Sequence, residues 1–390
     1  MKINSLKQKR QWRGQTVLLR VDFNVPTVNG IISEDYRIVS ALPTIKYLLA
    51  KGARLIIISH WGDPKGQEAA LSVKPLARRL QKLLKQPVKF IPEVVGLKAS
   101  AAATALNNGE IIFLENLRFH EGEKVNSKLF AKELSALANV YVNEAFSVCH
   151  RSQASVSAIT AYLPSFAGLQ LEAEIKSLQR ILRPKKPLVV VMGGSKISTK
   201  APIVKKLYSR ASFILLGGGL ANTFWRYQGL EIGKSIYDAE ADKTVASFIR
   251  HKKIMPKIIL PIDVVVKSRD GKSIKRLLKD IKKTDYIFDI GPESIELFSS
   301  YIKKAQTIVW NGPLGKFEES PYKHGTISIG VAIASRSTGK AFGLIGGGET
   351  VEALKMTKME SYVDWVSTAG GAMLSYLSGE KMPGLKKIIS

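Results

Sequence analysis

The segment TVLLRVDFNVP, residues 16–26, carries three polar side chains in an otherwise apolar strand pattern. Arg20, Asp22 and Asn24 stand at every second position, so a strand would point all three to one face. Arginine binds phosphate or carboxylate through paired hydrogen bonds, while a carboxylate and an amide suit hydroxyl groups. This face is predicted to line a site for a small anion that carries hydroxyls.

Further basic residues follow other predicted strands of the first half. Four arginines and three histidines have such positions: Arg20, Arg37, Arg118, Arg151, His60, His120 and His150. One arginine alone would most simply form a solvated ion pair. Four of them at strand ends of one half favour a pocket for a small polyanion.

The second half is rich in glycine instead. In GGSKISTK, Gly193 and Gly194 let a ligand approach the backbone, while Lys196 and Lys200 project from one side of the following turn. Glycine triplets at 217–219 and 346–348 each open a predicted helix, whose free N–H groups favour an anion. Tight strand-to-helix packing would need the same glycines, so both explanations stay open. Glu349 is a candidate ligand for Mg²⁺, which prefers oxygen and accompanies nucleotide phosphates.

These residues require strands to position them. About ten short β-branched runs alternate with amphipathic stretches, a pattern typical of βα units and parallel sheets. Two sets of five strands flank a charged helix that runs from Ala167 to Pro184. We therefore predict an α/β protein: two doubly wound parallel-sheet (Rossmann-like) domains at 1–168 and 186–370, joined by a hinge helix at 169–185. Ligands bind at the carboxyl ends of such strands, so each domain should contribute one half of a site, facing the other across a cleft.

The net charge of +27 suits nucleic acid, an anionic substrate or mere solubility equally well. In the densest basic block, residues 250–283, lysines repeat at helical spacing without interleaved aromatics. We expect a solvated face there and no nucleic-acid partner.

Other classes of protein are disfavoured. No apolar stretch is long enough to span a membrane, and the basic start lacks a signal-peptide core, so we expect a cytoplasmic protein without a membrane partner. The single cysteine, Cys149, excludes an intrachain disulfide and a cysteine zinc site, and is expected to be a small buried side chain. Neither GKS sequence completes a P-loop, and no G-x-G-x-x-G follows a strand, which disfavours a nicotinamide dehydrogenase. The residues alone indicate a phosphotransferase.

Ordered motifs along the whole chain resemble those of the phosphoglycerate kinase family. They are LLRVDFNVP, ALPTI, SHWGDPKG, LENLRFHEGE, YVNEAFSVCHRSQAS, GGSKIS, GGGLANTF, EIGKS, LPIDVVV, DIGPESIELF, WNGPLGKFE, GGGET and VSTAGGA. The resemblance implies reversible phosphoryl transfer between 1,3-bisphosphoglycerate and ADP, giving 3-phosphoglycerate and MgATP. It also implies a monomer whose C-terminal tail, residues 371–390, packs back on the first domain.

The resemblance also assigns site residues. Substrate would be bound by Asp22, Phe23, Asn24, Arg37, His60, Arg118 and Arg151. Nucleotide would be bound by Gly193, Lys196, Lys200, Gly217, Asn311, Pro313, Glu318, Gly346, Gly347, Gly348, Glu349 and Thr350, with Glu318 on the ribose and Glu349 near the metal. Because the 3-phosphoglycerate carboxylate has a pKa near ~4, it attacks as the ionised nucleophile and needs no general base. Arg37 and Lys200 are then the candidate catalytic residues, cancelling charge on the transferred group.

Two departures from the family pattern bear on activity. SHWGDP has Trp61 and Asp63 where the family has an apolar residue and an arginine, so we expect weaker phosphoglycerate binding and a lower KM in Asp63→Arg. Ala369 replaces a glycine of a TGGG turn, and its Cβ would resist a positive φ.

Milder replacements are Glu144, Ser147 and Glu349. The alternative hypothesis is a catalytically weakened paralogue that acts as a basic binding protein, and a dehydrogenase ranks third.

Overall fold

The computed structural model describes residues 2–389 and divides into two compact units. Unit 1 contains the chain up to Ile175 together with the segment from Lys381 onward, and unit 2 is Lys176–Glu380. The boundary lies inside a helix, Leu169–Leu182, within the expected hinge at 169–185.

Unit 1 is built on a six-stranded sheet and a two-residue antiparallel pair, Thr27–Val28 (β2) with Ile31–Ile32 (β3). The other strands are Thr16–Arg20 (β1), Arg54–Ile58 (β4), Lys89–Ile91 (β5), Ile111–Leu114 (β6), Val140–Asn143 (β7) and Ser165–Ala167 (β8). The helices are Tyr36–Ala50 (α1), Lys74–Leu84 (α2), Leu97–Thr104 (α3), Lys128–Ser135 (α4) and Leu169–Leu182 (α5), the last of which continues into unit 2.

The unit 1 sheet is parallel, in the order β5-β6-β4-β1-β7-β8. Val17 and Leu19 of β1 pack into one hydrophobic cluster, and Leu18 packs into another on the opposite face. The sheet is therefore covered on both faces, which explains the continuous apolar run. Strands β4, β5 and β6 lie on one side of β1, and β7 and β8 lie on the other. The strand order therefore reverses at β1, and a ligand crevice is expected at its carboxyl end.

Unit 2 has a second six-stranded parallel sheet, ordered β11-β10-β9-β15-β16-β17. Its strands are Leu188–Met192 (β9), Phe213–Leu216 (β10), Ile258–Ile259 (β11), Thr307–Asn311 (β15), Phe342–Gly346 (β16) and Trp365–Ser367 (β17). A separate antiparallel sheet contains Asp263–Lys267 (β12), Ser273–Leu277 (β13) and Tyr286–Ile290 (β14). The helices are Ala201–Leu207 (α6), Gly219–Tyr227 (α7), Asp242–Arg250 (α8), Pro292–Lys304 (α9), His324–Ser337 (α10), Gly348–Met356 (α11) and Gly370–Ser378 (α12).

The predicted α/β class is confirmed, but three details differ. Each parallel sheet has six strands and not five, because the sequence analysis did not predict the edge strands β8 and β17. The predicted strand IILPIDVVV is divided between β11 and β12, which belong to different sheets. Part of the lysine-rich block forms the β12–β13 hairpin, with Lys267 opposite Ser273. The helical interpretation of that part was wrong, because alternate burial along β13 has a period of two.

The C-terminal segment returns to unit 1 later than expected. Residues 371–378 lie in α12 and cluster with unit 2. The return begins near Lys381, where the Gly384 N–H donates to the Cys149 carbonyl at 3.0 Å. Cys149 is buried, as expected. Within residues 2–389, no helix has both the length and the apolar character needed to cross a membrane.

Candidate active site

The carboxyl end of β1 leads into an ion pair between a buried acid and a half-buried base. The Asp22 side chain is 8% exposed and accepts hydrogen bonds from Arg37 and from the Ser147 hydroxyl. The Asn24 N–H donates to the other Asp22 oxygen at 3.1 Å. Arg37 lies in the first turn of α1 and is 30% exposed. Asp22 therefore fixes a guanidinium that still reaches solvent and can meet an anion.

Electrostatics fix the charge of this acid and of the neighbouring histidine. Burial acts to raise the pKa of Asp22, but His60, Arg37 and hydrogen bonds from Ser147 and the Asn24 N–H together lower it. Burial is also the main cause that lowers the pKa of His60, to about 3. At neutral pH, Asp22 is thus ionised and the His60 ring is neutral.

The tautomer of His60 follows from its neighbour. Arg20 Nη2 lies 3.1 Å from His60 Nδ1, and since a guanidinium can only donate, Nδ1 is the acceptor. The hydrogen is therefore on Nε2, which lies 3.9 Å from Asp22 Oδ1. His60 serves as a neutral donor and not as a base.

Two residues of segment 16–26, Arg20 and Phe23, are buried in the interior and do not line a site. Arg20 is fully buried and donates to the Ser155 hydroxyl at 2.9 Å as well as to His60, so it does not share a solvent-facing surface with Asn24. Phe23 is also fully buried and packs edge-on against Phe113 at 6.0 Å. The expected alternation ends at Arg20, because β1 ends there. The opening prediction of three side chains on one lining face was wrong for this reason.

Arg118 and Asp63 form the second basic cluster of unit 1. Arg118 Nη1 donates to the Gly62 carbonyl at 2.5 Å and lies 3.3 Å from Asp63 Oδ1. Lys124 Nζ lies 2.5 Å from the same Asp63 oxygen, and the charge of Arg151 acts on both Asp63 and Arg118. Asp63 is thus paired with bases that are distant in sequence.

In unit 2, glycine allows two strand-end loops to touch. Gly193 follows β9, and its N–H donates to the Asn311 carbonyl at 3.1 Å. A Cβ at Gly193 would lie 1.8 Å from the Pro313 carbonyl oxygen. Gly194, with φ +106°, donates to the same oxygen at 2.9 Å. No other residue type fits at 193, so close packing explains this glycine by itself.

Lys200 is directed to the end of β15. Its Nζ donates to the side-chain carbonyl of Asn311, whose Nδ2 donates to the Gly346 carbonyl at 2.5 Å. Burial lowers the pKa of Lys200, and the nearby charge of Glu349 opposes that shift. Lys196 is exposed and acts instead on Asp238, whose pKa it helps to lower. The two lysines are therefore not equivalent, although they are four residues apart.

The second glycine triplet opens α11, as expected. Gly347 has φ +102°, and a Cβ there would lie 2.7 Å from Asn311 Nδ2. Thr350 is buried and accepts from the Gly312 N–H at 2.7 Å, while Glu349 is exposed in the first helical turn. Ala369 has φ −109° at the start of α12, so its Cβ meets no backbone strain.

A cavity of about 320 Å³ adjoins these loops within unit 2. Its wall includes Pro313, Glu318 and Glu349, which were predicted to bind nucleotide, and Gly218 and Gly219 of the first triplet. Gly217 itself packs against Leu314. The apolar wall was missed: Ala221, Trp225, Ile236, Val264, Ile287 and Leu314. Trp225 lies in the second turn of α7, which begins at the last glycine of the triplet. That triplet is the sequence signal that could have indicated it.

In unit 1 an arginine–aspartate ion pair follows the first strand, and in unit 2 a glycine-bounded cavity follows the first strand. Two doubly wound units with these features are typical of a small-molecule phosphotransferase of the α/β class. The family model for phosphoglycerate kinase matches residues 7–380. The chain belongs to the phosphoglycerate kinase family.

Individual relatives agree with that assignment. A phosphoglycerate kinase of Wolbachia sp. subsp. Drosophila simulans (strain wRi) is 43% identical over 378 residues, covering 95% of each chain. The structure of phosphoglycerate kinase from Coxiella burnetii is similar with a TM-score of 0.90, 36% identity and 99% of each chain covered. The crystal structure of phosphoglycerate kinase from Pyrococcus horikoshii OT3 gives a TM-score of 0.84, 32% identity and 98% of each chain.

Proposed function

We propose that this phosphotransferase moves a phosphoryl group reversibly between 1,3-bisphosphoglycerate and ADP, giving 3-phosphoglycerate and ATP. The observation that carries the proposal is the Arg37–Asp22 ion pair at the carboxyl end of β1, beside the neutral donor His60. A guanidinium held by a buried acid, with an adjacent N–H, suits a substrate that combines charged groups with a hydroxyl.

The substrate groups have distinct tasks in this proposal. Arg37 binds the carboxyl or acyl-phosphate end that reacts, and His60 donates to it. Arg118 and Arg151 bind the phosphate at the other end. Asn24 donates its amide to the substrate hydroxyl while its side-chain oxygen accepts from the Gly62 N–H at 2.9 Å. Phe23 contributes its backbone only, since its ring is in the core.

The nucleotide is proposed to occupy the unit 2 cavity. The base would lie on the apolar wall near Trp225, and the ribose near the exposed Glu318. Phosphates would approach Lys196, Lys200 and the N–H groups that open α11, where the helix dipole favours negative charge. The base and ribose would thus occupy the cavity, while Lys196 and Lys200, which are not part of its wall, would hold the phosphates outside it.

A magnesium ion fits one carboxylate of this site. In the part of the chain that the structure describes, no three His, Cys, Asp or Glu side chains form a metal cluster. Mg²⁺ commonly binds one or two carboxylates together with substrate phosphates, so Glu349 with the nucleotide would suffice. Bound there, the ion would neutralise charge on the phosphate oxygens.

The chain's own residues would provide positioning and charge compensation. The attacking carboxylate is ionised at neutral pH, so the neutral His60 is needed only as a donor. Arg37 and Lys200 would stabilise charge on the transferred phosphoryl oxygens. Lys200 is half-buried and already hydrogen-bonded to Asn311, so its ammonium is positioned before substrate arrives.

Transfer requires the two half-sites to meet during turnover, and α5, which belongs to both units, is the proposed hinge. Closure would exclude water and so prevent hydrolysis of ATP. We further propose that the protein acts as a monomer in the cytoplasm.

The test is a coupled assay of ATP consumption with 3-phosphoglycerate. Arg37→Ala and Lys200→Met should each reduce kcat by at least about a hundredfold, because each removes charge from the transition state. The matched controls are Arg79→Ala, which removes an arginine from another acid pair, and Lys303→Met on the exposed side of α9. Both controls should stay within twofold of wild type. Equal rates in all four variants would contradict the assigned roles.

A further inference from the structure

Asp63 forms ion pairs with basic side chains of unit 1 that could otherwise bind an anionic ligand. One of its oxygens lies 2.5 Å from Lys124 Nζ and 3.3 Å from Arg118 Nη1. The Asp63 side chain is 73% exposed, whereas that of Arg118 is only 7% exposed. A solvent-facing carboxylate therefore covers a nearly buried guanidinium.

Arg118 has unused capacity for a ligand. Its Nη1 donates to the Gly62 carbonyl, which fixes the guanidinium against the loop after β4. Its buried Nε–H has no acceptor among residues 2–389. A guanidinium carries five N–H donors, and leaving one buried without a partner is costly. The site is thus unsatisfied by the protein alone, even with Asp63 in contact.

The charges around Asp63 leave an excess of positive potential. The hydrogen bond from Lys124 is the largest influence and lowers the pKa of Asp63; burial opposes it, and the charges of Lys124, Arg118 and Arg151 lower the pKa further. Three cations therefore act on one carboxylate, and two of them, Lys124 and Arg118, contact it. A phosphate oxyanion would bring more charge and more acceptor oxygens to the same three cations than a carboxylate does.

We propose that Asp63 is an internal anion that occupies the phosphate-binding position of unit 1, and that Lys124 is a cation of that position, so that incoming phosphate displaces the Asp63 carboxylate. The inference rests on the proposed function and deepens it. It names a residue that sets substrate affinity, Asp63, and a further ligand for the phosphate, Lys124. Because Asp63 is mostly exposed, its side chain can turn into solvent when phosphate takes its place.

The experiment is calorimetric titration of the full chain with 3-phosphoglycerate, without nucleotide. Asp63→Asn should lower Kd by roughly three- to tenfold, since an exposed ion pair competes only weakly and the lost negative charge adds to the gain. The matched control is Asp270→Asn, an exposed acid of unit 2 that pairs with Lys272 and makes the same charge change. It should stay within twofold of wild type.

Lys124 is tested in the Asp63→Asn background, where its acid partner is gone. Lys124→Gln should then raise Kd by roughly fivefold or more, while Lys65→Gln, an exposed lysine near the same loop, should change it less than twofold. In the coupled assay, Asp63→Asn should lower KM for 3-phosphoglycerate and leave kcat unchanged. A purely structural role for Asp63 would not lower KM while leaving kcat unchanged.

The outcomes separate this inference from the proposed function. If wild type binds and turns over 3-phosphoglycerate but Asp63→Asn binds no tighter than Asp270→Asn, the internal-anion proposal is wrong and the function stands. If Lys124→Gln matches Lys65→Gln, Lys124 is not a phosphate ligand. If neither wild type nor Asp63→Asn binds 3-phosphoglycerate, both proposals fall.

Discussion

Removing the Arg37 guanidinium should destabilise unit 1 in a way that depends on the charge of Asp22. In wild type, Asp22 is 8% exposed and is paired with Arg37. In Arg37→Ala the carboxylate keeps its hydrogen bonds from Ser147 and the Asn24 N–H but loses its nearest cation. A buried charge without its partner destabilises the folded state.

The magnitude follows from burial. Breaking a fully buried ion pair costs roughly 3–5 kcal/mol, whereas an exposed pair contributes about 0–1 kcal/mol. Because Arg37 is 30% exposed and two hydrogen bonds to Asp22 remain, we expect a loss of about 2 kcal/mol at pH 7.

The sign of the pH dependence is fixed by the lowered pKa of Asp22. In wild type, the stability that this group provides is present above its unfolded pKa and is lost as pH falls through the lower folded value. In Arg37→Ala, one of the charges that lower this pKa is lost while burial, the largest single influence, still raises it. The pKa of Asp22 should therefore rise, and its ionised form should stabilise the fold less at neutral pH. The difference between the two proteins should therefore be largest near pH 7 and shrink below about pH 4.

Urea unfolding followed by tryptophan fluorescence provides the measurement. The double variant Asp22→Asn/Arg37→Ala should recover at least about 1 kcal/mol of the loss, because it leaves no unpaired charge. Arg79→Ala, which breaks a more exposed pair with Asp35, should lose at most about 1 kcal/mol. If Arg37→Ala unfolds at the same urea concentration as Arg79→Ala, or if Asp22→Asn adds to the loss, the reasoning is refuted.

Three further outcomes are expected. Burial raises the pKa of Glu144 from 4.5 to about 7, so wild type should lose about 3 kcal/mol of stability relative to Glu144→Gln as pH rises from 4.5 through 7; parallel pH profiles of unfolding free energy would contradict this. Gly193→Ala should lose about 3 kcal/mol of unfolding free energy and bind ATP more weakly, because its Cβ would lie 1.8 Å from the Pro313 oxygen. The control is Gly348→Ala, which should unfold like wild type because the added methyl meets open space. Chelation of Mg²⁺ should abolish turnover but leave 3-phosphoglycerate binding intact, and Glu349→Gln should raise the half-saturating Mg²⁺ concentration by about tenfold; an unchanged concentration would exclude Glu349 as a ligand.

Patterns of residues predicted the class of fold and the family well. Short continuous apolar runs such as 16–20 and 188–192, separated by amphipathic stretches, predict βα units with parallel strands buried on both faces. The prediction that each glycine triplet opens a helix is confirmed by α7 and α11. The predictions failed where the local pattern was ambiguous: β13 resembled a lysine-rich helix, and the edge strands β8 and β17 were not recognised as strands.

The sequence by itself determined the α/β class, the family and the supply of arginines, lysines and glycines at strand ends, because these depend on residue types and short-range spacing. Only the tertiary structure decided how each residue is used. It buried Arg20 while leaving Arg37 in contact with solvent, and it brought Lys124 to Asp63 across 61 residues of chain. It also built the cavity wall from Trp225 and Ile287. Exposure, ion pairing and pKa depend on neighbours that the fold brings together from distant parts of the chain, and no spacing within one segment encodes them.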